Sequence, residues 1–230
     1  MRKGLDLLVL NKYKLFWKSI NLCYNFFMIK FENVSTKYVQ DFFCLYNFNT
    51  EITNHTLFVG DDFFGSSAIL RLLSKIDKGY SGNIFIDNVN LKEINDKDLQ
   101  LAYLPKCPVL FENKNAFENL YYSLKIRKID KNTAKNMINN AFLYYNLQNL
   151  KNFKHADLSI KKIYALVRAV IRKPKYILIE NFFENLDEKY FDIVNKILTD
   201  AKEFSTLVAC EKQDLNLPIF KNFNRINLGN

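Results

Sequence analysis

Four apolar residues, Tyr176-Ile177-Leu178-Ile179, run directly into a carboxylate, Glu180, and this stretch constrains the chain more than any other. An unbroken apolar run of this length fits a strand covered on both faces, and such strands belong to parallel sheets flanked by helices. A carboxylate at the carboxyl end of such a strand stands where open α/β sheets place their ligands. Asn181 follows Glu180 directly, and a helical pattern sets in after Leu186-Asp187. Three further short apolar runs, Thr56–Val59, Leu101–Leu104 and Thr206–Cys210, supply neighbours for the same sheet. Ahead of them, Ile29, Phe31 and Val34 alternate with polar residues, as does Leu45–Asn49, so two half-buried strands are expected there.

Thr56–Val59 leads into Gly60-Asp61-Asp62-Phe63-Phe64-Gly65-Ser66-Ser67-Ala68, after which Ile69–Leu73 begins a helix. Strand, loop and helix are the context of a phosphate-binding loop, and the two glycines keep the G-x-x-x-x-G spacing. Ser66 stands where such a loop carries its Lys, so the positive charge for the β- and γ-phosphates is missing. Asp61 and Asp62 add negative charge beside a site for a polyanion, and Phe63 and Phe64 add bulk. Ala116–Leu124 and Asn132–Leu147 carry apolar residues at helical spacing, which packing in a helical lobe explains.

In their order and spacing, these segments resemble the ATP-binding cassette (ABC) ATPases. The resemblance covers residues 28 to about 215 and implies an α/β, P-loop NTPase-like fold. Its mostly parallel sheet would carry an inserted helical lobe at about residues 107–157. It further implies nucleotide-binding roles for Tyr38 (adenine stacking), Gly60, Gly65, Ser66, Ser67, Ala68, Lys106 and Glu180. Ser67 and Glu180 would be the Mg²⁺ candidates, Leu158 and Ser159 the remains of the signature, and Asp187 the residue of the following loop. Each functional motif departs from the family pattern. Asn181 replaces the general-base Glu and Lys212 the switch His. Lys106 stands for the Gln and Ser66 for the Walker A Lys, and the paired signature glycines are absent. Removing one group that acts in the transition state commonly costs ~10²–10⁴-fold, so five such departures together argue against hydrolysis.

With 230 residues the chain can form one domain with a sizeable core. Its 49% hydrophobic and 25% charged residues are a globular balance. The net charge of +9 is spread among acids without a basic stripe, so nucleic acid is not an expected partner. Cys23, Cys44, Cys107 and Cys210 form no CxxC pair, and His55 and His155 are isolated, so neither zinc, haem nor a disulfide framework is expected. Reduced cysteines fit the cytosol. Residues 1–27 are read as an upstream extension, the alternative being a membrane-surface helix built on Lys12, Lys14 and Lys18. Residues 216–230 are read as a tail.

The functional expectation is a degenerate cassette of an ABC-type membrane complex. It would lie at the cytoplasmic membrane face, dock a permease and pair with a second cassette. ATP and Mg²⁺ binding would be weakened, and ATP hydrolysis little or absent. The alternatives are a divergent but active transporter ATPase and a non-catalytic scaffold of cassette fold.

Overall fold

The computed structural model describes residues 28–39, 42–60 and 65–228. The N-terminal extension read at 1–27, and Asp61 to Phe64 of the glycine loop, lie outside the described residues.

Two antiparallel strands, β1 (Ile29–Val39) and β2 (Phe42–Ile52), open the fold. Then come β3 (Thr56–Val59), α1 (Ser66–Leu73), β4 (Ser81–Ile86) and β5 (Val89–Asn90). Asp87 and Asn88 both adopt positive φ in the two-residue turn between β4 and β5, where Ile86 pairs with Val89. Asp and Asn tolerate that conformation, and it matches the twist of a tight hairpin. After β6 (Leu101–Leu104) come three helices, α2 (Ala116–Ile126), α3 (Lys131–Tyr144) and α4 (Leu158–Val170). The chain returns through β7 (Tyr176–Glu180), α5 (Phe191–Lys202), β8 (Thr206–Glu211) and β9 (Asn224–Asn227).

The strands form two sheets. β2-β1-β4-β5 is antiparallel, and β6-β7-β8-β3-β9 is parallel throughout. β7 lies between β6 and β8 and shows why its sequence is continuously apolar. Ile177 and Ile179 enter one core with α4 and α5, while Tyr176 and Leu178 enter the other with α1 and the antiparallel sheet. Each face of the strand has its own cover. The Tyr176 hydroxyl donates to Asp87 Oδ1 at 2.6 Å, and the Met28 amide donates to the same oxygen at 3.3 Å. One carboxylate thus joins the start of β1, the end of β4 and the start of β7.

Local signals set the helix ends. Asn115 and Glu118 form a reciprocal capping box on α2, and the Asp130 and Asp157 carboxylates cap α3 and α4. α3 stops at Tyr144, short of the Leu147 expected from periodicity. Asn146 turns left-handed there, and the Leu147 amide donates back to Phe142 O at 2.8 Å. This closes the helix with a Schellman-type turn.

The boundary read at residue 215 needs correction. β9 pairs in parallel with β3, from Thr56↔Asn224 to Val59↔Asn227, and Ile219, Phe220 and Phe223 are buried. The strand is polar because it is an edge strand with mostly exposed side chains, so no apolar run announced it.

Candidate functional site

Because β3, β6, β7 and β8 are parallel, their following loops gather at one edge of the sheet. The glycine loop leaves β3 there. Gly65 sits at φ +85°, and a Cβ at that position would lie 2.4 Å from Cys44 O, so only glycine fits before α1. At Gly60 the constraint is space, since a Cβ would meet Leu228 O at 2.8 Å. Ser66 begins α1 fully buried, and its Oγ has no hydrogen-bond partner among the described residues. Ser67 and Ala68 are half-buried on the same turn. Tyr38 falls within β1, but its side chain is not among those described.

Glu180 ends β7 half-buried. Its Oε2 accepts from the Tyr103 hydroxyl at 2.5 Å and from the Lys106 amide at 3.3 Å. Burial, with the Glu180 carboxylate beside it, pushes the Tyr103 phenol well up, so it stays a donor. Asn181 is 1% exposed at φ +42°, and its backbone N–H donates to Cys210 O at 2.8 Å. The Asn181 side chain, expected at the general-base position, is therefore both uncharged and buried.

The loop after Asn181 is gripped by charge. Lys162, 1% exposed on α4, donates from Nζ to Phe182 O at 2.6 Å and Glu184 O at 2.5 Å. On the same loop, Glu211 Oε1 accepts from the amides of Phe182 at 3.0 Å and Phe183 at 3.4 Å. Burial pushes the Glu211 carboxyl up to about 7 against those two amide bonds, and burial also lowers the Lys162 ammonium. The Glu184 side chain then meets Lys106 Nζ at 2.8 Å and Lys212 Nζ at 3.9 Å. The Lys106 hydrogen bond is the main reason its carboxyl lies below the usual range. Lys106 and Lys212, at the expected Gln and switch-His positions, thus converge on one carboxylate from the ends of β6 and β8.

Ser159, expected as a remnant of the signature, is also engaged internally. Ser159 is buried on α4, and its Oγ accepts from the Asp187 amide at 3.0 Å. The Asp187 carboxylate accepts from the Lys189 amide at 3.1 Å and pairs with Lys189 Nζ at 2.6 Å. Leu158 is partly exposed at the helix start. The structure therefore brings together Glu180, Asn181, Lys106 and Lys212, and separately joins Ser159 to Asp187. Lys162, Glu184 and Glu211 escaped the sequence reading as functional residues. A signal existed for two of them. Glu211 ends an apolar strand as Glu180 does, and Lys162 interrupts the apolar stripe formed with Ile163 and Leu166 on α4.

Beside the helical lobe lies a cleft of about 1020 Å³ between the end of α1, β6, α2 and α4. Ile76, Phe111 and Ile126 are exposed at its rim, 53%, 55% and 77% respectively. Arg168 and Arg172 line its inner side, and each donates from a guanidinium nitrogen to a backbone carbonyl, Val109 O and Leu101 O. Burial lowers Arg168 and brings Arg172 down to about 10. Among the described residues, no group of three or more His, Cys, Asp or Glu is placed to hold a metal ion. No helix of the described residues is long and apolar enough to cross a membrane.

A parallel sheet in the order β6-β7-β8-β3-β9, with a glycine loop between β3 and α1 and a carboxylate ending β7, defines a P-loop NTPase-like α/β fold of the ABC ATPase type. The chain belongs to the ABC transporter family, whose family model matches residues 46–183. It is 26% identical over 185 residues to the methionine import ATP-binding protein MetN of Helicobacter hepaticus, covering 76% of this chain and 52% of that protein. It is 32% identical over 133 residues to the sn-glycerol-3-phosphate import ATP-binding protein UgpC of Pectobacterium atrosepticum, covering 57% and 37%. The chain thus spans about half or less of the length of these curated relatives. Among solved structures, it superposes on a putative ABC transporter ATP-binding protein from Pyrococcus furiosus with a TM-score of 0.73. That match has 17% identity and covers 87% of this chain and 97% of that one. A bacterial Atm1-family ABC exporter with ATP bound matches with a TM-score of 0.72 at 18% identity, covering 90% and 38%.

Proposed function

We propose that this chain serves as a degenerate cassette subunit of a membrane transport complex. In this reading it binds a permease and a second cassette at the cytoplasmic membrane face, with little or no ATP hydrolysis of its own. One observation carries the reading. The charged side chains at the positions that should face the terminal phosphate and Mg²⁺ already have partners within the chain. Glu180 holds Tyr103 and the Lys106 amide, and Glu184 holds Lys106 and Lys212. Ser66, in place of a cation, is fully buried. These residues do not fit a Mg-triphosphate. The fit would require breaking an ion pair and would still lack the positive charge that the missing Lys supplies.

The cleft beside α2 is the docking surface in this reading. Its apolar rim suits a short amphipathic segment, and Arg168 and Arg172, bonded only to carbonyls among the described contacts, suit a carboxylate on that segment.

Titration of the purified chain with Mg·ATP, alongside a steady-state hydrolysis assay, tests the nucleotide part of the reading. Weak binding and no measurable turnover are expected. A low-micromolar dissociation constant, or turnover of about 1 s⁻¹ or faster, would overturn it. For docking, Phe111→Asp with Ile126→Asp should release the protein from the membrane fraction of its own cells. Unchanged membrane association of a folded variant would refute the surface.

A further inference from the structure

We propose that Glu184 is a built-in anion that occupies the place of a phosphoryl group between Lys106 and Lys212, and so closes the loops of β6, β7 and β8 without a ligand. The inference rests on the reading of this sheet edge as a former nucleotide site, and it names what fills that site now.

The geometry supports an occupant rather than a chance surface pair. Lys106 and Lys212 leave the ends of two different strands, β6 and β8, with β7 between them. Both ammonium groups reach the single carboxylate on the loop that follows β7, at 2.8 Å and 3.9 Å. That loop is not loose. Lys162 holds its carbonyls at Phe182 and Glu184, and Glu211 holds its amides at Phe182 and Phe183. Both anchoring side chains are almost fully buried. The carboxylate is therefore presented at a fixed place, on a backbone secured from beneath by the Lys162 ammonium at its carbonyls and the Glu211 carboxyl at its amides. The Lys106 amide is bound to Glu180 as well, which fixes the lysine's own start point.

A carboxylate between two ammonium groups offers the oxygen acceptors and negative charge that a phosphoryl oxygen would offer. An incoming polyphosphate must compete with it, and Glu184 would repel that polyphosphate if it were displaced only partway. The ligand class excluded by this contact is a polyphosphate anion, either free or carried on a nucleoside.

Glu184→Gln tests the contact, since it removes the charge and keeps the size. Calorimetric titration with inorganic tripolyphosphate and, in parallel, with Mg·ATP should show affinity for tripolyphosphate about three- to fivefold higher than in the wild-type protein, the factor that one half-exposed ion pair is worth. The gain should disappear in Lys106→Gln/Lys212→Gln/Glu184→Gln. Hydrogen exchange of the amides at 106–107, 181–186 and 211–213 should be faster in Glu184→Gln and unaffected by Mg·ATP in the wild-type protein. Glu184→Asp, whose shorter arm reaches one lysine at a time, should give an intermediate gain if Glu184→Gln folds poorly. Unchanged tripolyphosphate affinity and exchange, or a gain that persists without both lysines, overturns the inference. Tight Mg·ATP binding by the wild-type protein would overturn the proposed function and this exclusion with it, whereas failure of the Glu184→Gln arms alone leaves the proposed function standing, so the two failures are distinct. A rise for Mg·ATP but not for tripolyphosphate would also overturn the inference, because the gain would then lie with the nucleoside.

Discussion

Replacing Glu211 by Gln should remove one component of the pH dependence of stability, a fall between about pH 5 and pH 8. The Glu211 carboxyl is 3% exposed at the end of β8, and burial raises it from an ordinary 4.5 to about 7 in the folded protein. Between those two values the native state keeps a proton that the unfolded chain releases. Stability from this group therefore falls as pH rises through that window and is fully lost above the folded value. For one group shifted this far, the loss between about pH 5 and pH 8 is about 2.5 kcal/mol. His55 works in the opposite direction over part of the range. Burial, with Lys202 nearby, lowers its imidazole to about 4, so the unfolded chain binds a proton the native state refuses and stability rises with pH up to about 6.5. Subtracting the two proteins' curves removes this contribution, because His55 is present in both. Gln keeps an oxygen for the Phe182 and Phe183 amides and loses the negative charge facing Lys162. The absolute stability therefore shifts, while the difference in slope still reports the proton. Urea unfolding followed by circular dichroism, at steps from about pH 5 to pH 8, measures it. Over that window the stability of Glu211→Gln relative to the wild-type protein should rise by about 2.5 kcal/mol. Parallel curves would show that Glu211 is not raised by burial, and the account of the buried clamp would fail with it.

Lys162→Met should destabilise the protein by about 2–4 kcal/mol, because it removes two carbonyl bonds and leaves the buried Glu211 without its nearby cation. Urea unfolding at neutral pH checks this. Gly65→Ala should cost more than about 1 kcal/mol, since it adds a Cβ 2.4 Å from Cys44 O at a positive φ. A shift in the thermal midpoint reads that out, and an unchanged midpoint would contradict the geometry of the α1 start. Restoring the family lysine by Ser66→Lys should lower stability, because position 66 is fully buried, and should leave Mg·ATP binding weak in calorimetry. Strong binding would show that the missing lysine alone is what the site lacks.

The fold was legible wherever burial on two faces wrote an unbroken apolar run. β3 and β6 have the expected bounds, and β7 and β8 each continue one residue further, into Glu180 and Glu211. β9 was invisible because an exposed edge strand such as Asn224–Asn227 asks little of its side chains. The site was legible only in part. Motif order located Gly60, Gly65, Glu180, Lys106 and Lys212 on one edge of the sheet. What those residues do to one another depends on charges brought together from distant positions. Glu184 lies in a loop with no periodicity to betray it, and its pairing with Lys106 and Lys212 follows from three strand ends meeting in space. Ser159 shows the same limit. The resemblance made it a remnant of the signature, yet its hydroxyl bonds within the chain to the Asp187 amide.

The place of β3 in the sheet has a consequence for biosynthesis. Its two neighbours are β8 and β9, and roughly 150 residues separate Val59 from Thr206. On a ribosome making about 5–20 residues per second, both edges of β3 stay bare for on the order of ten seconds or more. An apolar strand with unpaired edges is a template for pairing with another chain. The nascent protein must therefore carry the start of its glycine loop through most of its synthesis without the sheet that will hold it. A product released before β9 emerges would leave one edge of β3 permanently open, which makes early termination a route to aggregation rather than to a smaller working cassette.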